Sequence, residues 1–431
     1  MGDQTAADPA MTDPALNQQL ATDPSGPSGQ PKRLFISTGE VSGDLQGAFL
    51  VTALCQSAAE RGIALEISGL GGPRMAQAGA TLVGDTTTVG SVGIVEALPY
   101  LLPTLRLQRR AKQALMDRPP DGVVLIDYMG PNLAMGKFLS QHLPQVPVTY
   151  YIAPQQWVWA FTEEDTQRIV HFSDQVLAIF QDEADYYQRF GAKVTWVGHP
   201  LLDRYPAPPD KGLARQRLGL GAEQPVITLL PASRRQEVKY LLPTLIQAAQ
   251  MIQRQCPDAV FLLPLSAAEL QPRFEQALAQ ANVSGRLVTP TDQYQPTDAI
   301  AAADVAIAKS GTANLEIALM NVPQVVAYRL NPLSARIAYY LLNFRVPHVS
   351  PVNLAVNQRI VPEFLQWEAT PEALATAALN LLKNPNSRQA MLAGYATLRQ
   401  TLGEVGACRR AAGLILDQLS PPSLGKGEPD R

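Results

Sequence analysis

The chain is 431 residues long, with 46% hydrophobic residues, 17% charged residues and a net charge of −3. That length implies two domains, each large enough to bury a core without staples, and the composition excludes a chain disordered throughout and shows no basic excess pointing to nucleic acid. Three cysteines far apart in sequence (Cys55, Cys256, Cys408) and four histidines signal neither a disulfide framework nor a zinc site, and suit a reducing cytosol.

Residues 1–32 read as a disordered extension: the first thirty are rich in Asp, Pro, Gln, Ser and Ala, without the cationic start and apolar centre of a signal peptide. No apolar run is long enough to span a bilayer. From residue 33 onward, apolar strand-like runs alternate with longer helical patterns, so the fold class is α/β, with parallel sheets and crossover helices. Strands are expected at 33–38, 65–69, 122–127, 148–152, 174–179 and 193–197. A proline-rich stretch then interrupts the pattern, and 205–212 reads as a linker. A second series follows at 226–230, 259–263, 304–308 and 324–328. Helical patterns from 385 to 419 come after the second domain (213–384), and 420–431 reads as a frayed tail.

In open α/β sheets ligands sit outside the carboxyl ends of the strands, so the loops after strands are where chemistry is expected. The first is Gly39-Glu40-Val41-Ser42-Gly43-Asp44. It lacks the spacing of a dinucleotide fingerprint, and Glu40 and Asp44 would repel a pyrophosphate; two carboxylates suit a sugar's hydroxyls, or else are plain acidic helix caps. Gly71-Gly72-Pro73-Arg74-Met75 is a flexible turn with one cation. In residues 100–112 leucines precede Arg106, Arg109, Arg110 and Lys112, a pattern that fits an anionic membrane surface and equally a solvated helix face. Gly198-His199-Pro200 reads as a hinge or turn, with an acid–base histidine as the alternative.

In the second half, Leu230-Pro231-Ala232-Ser233-Arg234-Arg235-Gln236-Glu237 offers forked cations for phosphate, with at least one equally fit to be a plain surface cation. Ser310-Gly311-Thr312-Ala313-Asn314-Leu315-Glu316 lies between a strand and a helix. Free backbone N–H groups and the Thr312 hydroxyl there suit a diphosphate, and Glu316, a turn further on, suits the two hydroxyls of a ribose. The same residues also fit an ordinary capped helix with an acidic first turn.

These motifs, with Val92-Gly93-Ile94-Val95-Glu96, Tyr150 to Trp159, Val197 to Leu201 and Val361 to Gln366, give residues 33–419 a specific resemblance to the lipid-A-disaccharide synthase family. The resemblance implies two Rossmann-like domains with an interdomain cleft (GT-B type), residues 33–204 serving the acceptor and 213–384 the UDP-sugar. It implies an inverting transfer of 2,3-diacylglucosamine from UDP to 2,3-diacylglucosamine 1-phosphate, giving a β-1,6 disaccharide phosphate and UDP, with no metal or other cofactor. Ser233, Arg234, Ser310, Gly311, Thr312 and Glu316 would hold the donor, and Asn353 would contact nucleotide or sugar. The protein would sit in the cytoplasm, peripheral on the cytoplasmic face of the inner membrane, against anionic lipid, with a homodimer left open.

Two positions depart from the family's pattern. Ala232 stands where the family has glycine, and Met129-Gly130-Pro131-Asn132 replaces Pro-Asp-Phe-Asn, so Gly130 takes the place of the proposed catalytic aspartate. Asp127 is the nearest replacement base, with Glu40 and Asp44 as alternatives. The altered loop leaves open a different glycolipid acceptor, or a UDP-sugar-binding protein without turnover.

Overall fold

The computed structural model describes residues 30–87, 98–158, 163–232, 234–331, 336 and 348–419. Both tails, the motif at 92–96, Trp159 and Ser233 lie outside these. By its contacts the chain forms two compact units. One gathers the described residues up to Pro200 together with those from Glu404 onward, and the other runs from Leu201 to Gly403.

The first unit is a parallel sheet of β1 (Lys32–Ser37), β2 (Leu65–Gly71), β3 (Thr81–Asp85), β4 (Gly122–Ile126), β5 (Val148–Tyr151), β6 (Gln175–Ala178) and β7 (Val194–Trp196), in the order β3-β2-β1-β4-β5-β6-β7. The second contains β8 (Val226–Leu230), β9 (Val260–Pro264), β10 (Gly285–Val288), β11 (Val305–Lys309), β12 (Gln324–Tyr328) and β13 (Glu363–Leu365), in the order β10-β9-β8-β11-β12-β13. All ladders are parallel. Each sheet therefore reverses direction beside its first strand, between β1 and β4 in one and between β8 and β11 in the other. Such a switch point leaves a crevice at the carboxyl ends of the two strands, because their crossover helices pack on opposite faces.

The helices that matter below are α1 (Glu40–Glu60), α2 (Leu101–Asp117), α3 (Met129–His142), α4 (Gln181–Arg189), α5 (Arg235–Gln255), α6 (Ala313–Leu319) and α7 (Ala407–Leu419). Phe35, Leu125, Tyr150 and Val176 from the first sheet pack with Leu115 of α2 and Met135 and Leu139 of α3 in one apolar core. α7, the last helix, returns to this first unit: it packs on α1, and Gln418 Oε1 accepts from Thr149 Oγ1 (2.7 Å) and Gln175 Nε2 (3.1 Å).

The strands expected from the sequence are all present to within two residues at each end. Three more, β3, β10 and β13, were not expected, and each lies at a sheet edge. An edge strand is covered less fully and needs no continuous apolar run; Thr-Leu-Val-Gly-Asp in β3 is partly exposed along its length, whereas β4 is buried throughout. No helix among the described residues is long and apolar enough to cross a membrane.

Candidate active site

At the switch point of the first unit, the chain leaving β1 enters α1 through Gly39 and Glu40, and the chain leaving β4 passes through Asp127 and Tyr128 into α3. Backbone strain gathers here. Glu40 (φ 61°), Asp127 (45°), Tyr128 (53°) and Ile152, just after β5 (56°), all adopt positive φ without being glycine, at a cost of about 1–3 kcal/mol each. Gly39 allows the close approach of these loops, since a Cβ there would stand 2.2 Å from the Tyr128 ring.

The strain is held by hydrogen bonds to the Asp127 backbone. Its N–H donates to Ile152 O (3.0 Å), and its carbonyl accepts from Asn132 Nδ2 (2.8 Å) and Tyr150 Oη (2.8 Å). The Asn132 side chain, fully buried, also accepts from Ser37 Oγ (2.7 Å), so one amide ties the end of β1 to the end of β4. The Asp127 carboxyl is pushed up to about 6, chiefly by desolvation and then by the negative charge of Glu40, against a hydrogen bond from the Tyr128 backbone. Solvent still reaches the residue. Two carboxylates close enough to repel, one with its pKa raised toward neutrality, are suited to accepting a proton.

Asp44 is placed differently. It is buried, and its carboxylate accepts from Gly72 N (2.9 Å), Met75 N (3.0 Å) and Arg74 N (3.1 Å). Burial raises its pKa while these N–H groups oppose the rise. A Cβ on Gly72 would come within 2.8 Å of the Asp44 carboxyl. The Gly39 motif and the Gly71-Gly72-Pro73-Arg74-Met75 motif are thus two halves of one brace, and the Asp44 carboxylate holds the turn. Glu183 of α4 braces the neighbouring loop in the same manner: buried, it accepts from Ala153 N (2.9 Å), Ile179 N (2.9 Å) and Phe180 N (3.3 Å). Burial pushes its carboxyl up to about 8 despite those donors. His199 is buried with its ring edge-on to Phe180 at 5.3 Å.

At the switch point of the second unit, Arg234 precedes α5 after β8, and Ser310-Gly311-Thr312 leads from β11 into α6. Several of the donors expected to be free are committed internally. Ser310 N donates to Ala327 O (3.0 Å), Ser310 Oγ to Val349 O (2.6 Å), and Gly311 N to Asn314 Oδ1 (2.8 Å). The Thr312 hydroxyl makes no capping bond. Glu316 is partly exposed, and its Oε2 accepts from Tyr205 Oη (3.1 Å).

The pairing of Lys309 with Glu237, the acid that ends the 230–237 stretch, is not evident from the sequence. Glu237 of α5 lies with its Oε1 2.8 Å from Lys309 Nζ and 3.6 Å from Arg234 Nη1. The signal in the sequence was a lone lysine closing an apolar strand directly before Ser310. Asn353, expected to contact a ligand, is fully buried and saturated: Nδ2 donates to Val361 O and Glu363 Oε1, and Oδ1 accepts from Ile360 N and Val361 N. With no donor or acceptor left over, it braces its own loop. Among the described residues no cluster of His, Cys, Asp and Glu is placed to hold a metal ion.

On α2, Gln108, Ala111 and Leu115 face inward at helical spacing, while Arg106, Arg109 and Arg110 are exposed together with Leu101, Leu102 and Leu105. Lys112 is partly covered, its ammonium 5.2 Å from the Phe138 ring centroid.

A protein-family model described as Lipid-A-disaccharide synthetase matches residues 34–416. The lipid-A-disaccharide synthase of Gloeothece citriformis is 52% identical over 387 residues, covering 90% of this chain and all of that one. The chain belongs to the lipid-A-disaccharide synthetase family. It shares that family's glycosyltransferase class and its place in lipid A biosynthesis. Solved structures with the same fold include the glycotransferase of kitacinnamycin (TM-score 0.59, 16% identity, covering 91% of this chain and 100% of that one) and the S. aureus MnaA–UDP complex (TM-score 0.60, 14% identity, covering 88% and 94%).

The two departures from the family pattern now have surroundings. Gly130 opens the first turn of α3 with no atom within 4 Å of where a Cβ would stand. Ala232 has a φ of +157°, a conformation that glycine adopts at less cost than alanine.

Proposed function

We propose that the chain is a lipid-A-disaccharide synthase that transfers 2,3-diacylglucosamine from its UDP donor to 2,3-diacylglucosamine 1-phosphate. The observation that carries this reading is the family match, which runs through both units from residue 34 to residue 416. The first unit serves the acceptor and the second the UDP-sugar. Ser233, Arg234, Ser310, Gly311 and Thr312 surround the diphosphate, and Glu316 takes the ribose hydroxyls; the UDP present in the S. aureus structure of like fold supports UDP as a ligand of this fold.

In the transfer, the acceptor's 6-hydroxyl gives its proton to Asp127 and its oxygen attacks the anomeric carbon. The bond from that carbon to the UDP oxygen breaks, and UDP leaves with the electron pair, inverting the configuration. Asp127 takes this role in place of the aspartate that Gly130 displaces, because its raised pKa and solvent access suit a base, while the Asp44 carboxylate is already engaged by three N–H groups. The exposed leucines and arginines of α2 rest on the anionic cytoplasmic face of the inner membrane, where acylated substrates reside.

The test is UDP release with both acylated glucosamine substrates, followed by product mass. A disaccharide phosphate of the expected mass supports the assignment. The altered loop at 128–131 favours one second reading, a different glycolipid acceptor, which UDP release with that acceptor alone would establish. Absence of UDP release with every glycolipid acceptor, acylated glucosamines included, would overturn the transferase reading.

A further inference from the structure

We propose that Lys309 is a phosphate contact of the donor site, set by Glu237, and that it supplies charge which the Ser310-Gly311-Thr312 loop cannot. The inference rests on the reading of that loop as the UDP site and adds a residue outside the motif.

β11 is buried and apolar through Val305, Ala306, Ile307 and Ala308, and then ends in a lysine. A lysine in such a position must satisfy its ammonium close by. Its Nζ lies 2.8 Å from Glu237 Oε1 and 5.5 Å from the Tyr328 ring centroid, and the side chain is only 19% exposed. The ion pair with Glu237 lies outside hydrogen-bond angles. Among the described residues the three N–H donors of Lys309 therefore have attraction but no aligned acceptor. A Cβ on Gly311 would stand 3.8 Å from the same Nζ, which puts the ammonium against the loop itself.

The charge count points the same way. Glu237, buried, is a carboxylate that both Lys309 and Arg234 approach, so two cations meet on one acid at the switch point. The loop's amide and hydroxyl donors at Ser310 N, Ser310 Oγ and Gly311 N are already bonded within the protein. A diphosphate therefore needs side-chain cations here, and Lys309 and Arg234 are placed on either side of one acidic anchor. Glu237 acts as a positioning residue, holding both cations at the strand ends.

The experiment is calorimetry of UDP, UMP and uridine binding to wild type, Lys309→Met and Lys309→Arg, with thermal melts to confirm folding. Lys309→Met is expected to weaken UDP about tenfold or more, since it removes a charge-assisted contact. The same variant should weaken UMP less and leave uridine unchanged, and Lys309→Arg should keep most of the UDP affinity. Lys309→Gln, which retains a donor for Glu237, replaces the Met variant should that one fail to fold. Wild-type UDP affinity in a folded uncharged variant would overturn the proposal, as would an equal loss for uridine, which marks a change in loop shape. Wild type that fails to bind UDP at all would overturn the donor-site reading itself, an outcome distinct from failure of Lys309 alone.

Discussion

Replacing Glu40 by Gln should shift the acid limb of the pH–rate profile. The Asp127 carboxyl is pushed up to about 6, first by desolvation and second by the charge of Glu40. A general base acts in its ionised form, so the wild-type rate climbs with pH through this value. Glu40→Gln removes the repulsion and leaves the desolvation. The limb should then move to lower pH, raising the rate at pH 5 relative to that at pH 7, while staying above the ordinary carboxylate range. Asp127→Asn should lower the plateau by about 10² to 10⁴ and abolish the limb, with UDP affinity intact. The assay is UDP release at saturating substrates across this pH range. An unmoved limb in Glu40→Gln would refute the coupling. Inactive Glu40→Gln beside a near-wild-type Asp127→Asn would give the proton to Glu40.

Glu316→Ala should weaken UDP binding by about 1.5–3 kcal/mol through loss of charge-assisted hydrogen bonds, and chelation should leave binding unchanged; calorimetry of the folded variant checks both, and unaltered affinity would count against the ribose contact. Arg109→Glu with Arg110→Glu should reduce sedimentation with anionic liposomes, an effect that weakens with salt; unchanged sedimentation would make α2 an ordinary surface helix. Glu183→Ala strands three buried N–H groups and should cost about 3 kcal/mol or more of stability, with Glu183→Gln costing less; a denaturation midpoint close to wild type would show that the loop relaxes. Gly130→Asp should fold and gain up to about 1 kcal/mol, because the position is open and an acid in the first turn of a helix is favourable.

Much of the fold was legible in the sequence because the central strands are buried on both faces. Runs such as Gly122 to Ile126 and Val226 to Leu230 are mostly apolar, Thr228 excepted, and the turns after them carry the glycines and charges. The loops at 39–44, 230–237 and 310–316 are therefore assignable to strand ends by residue pattern, and both switch points lie beside them. Edge strands β3, β10 and β13 escaped because partial exposure removes the apolar signature. The return of α7 to the first unit also left no local mark, since it depends on contacts of Gln418 with Thr149 and Gln175, far away in sequence.

At the site, the residue types were readable and their tasks were not. Glu40, Asp44 and Asp127 look alike as acids after strands. Three backbone N–H groups from a distant turn commit Asp44, whereas strain, desolvation and a neighbouring charge distinguish Asp127. Asn353 likewise resembles a ligand contact until its four internal hydrogen bonds are seen. Lys309 and Glu237 are 72 positions apart in sequence and 2.8 Å apart in space. Sequence alone decided which side chains lie near the strand ends, because burial of the sheet dictates where apolar runs stop. Only tertiary structure decided which of those side chains are already engaged, because hydrogen bonds and charge pairing are made between segments that the chain order keeps apart.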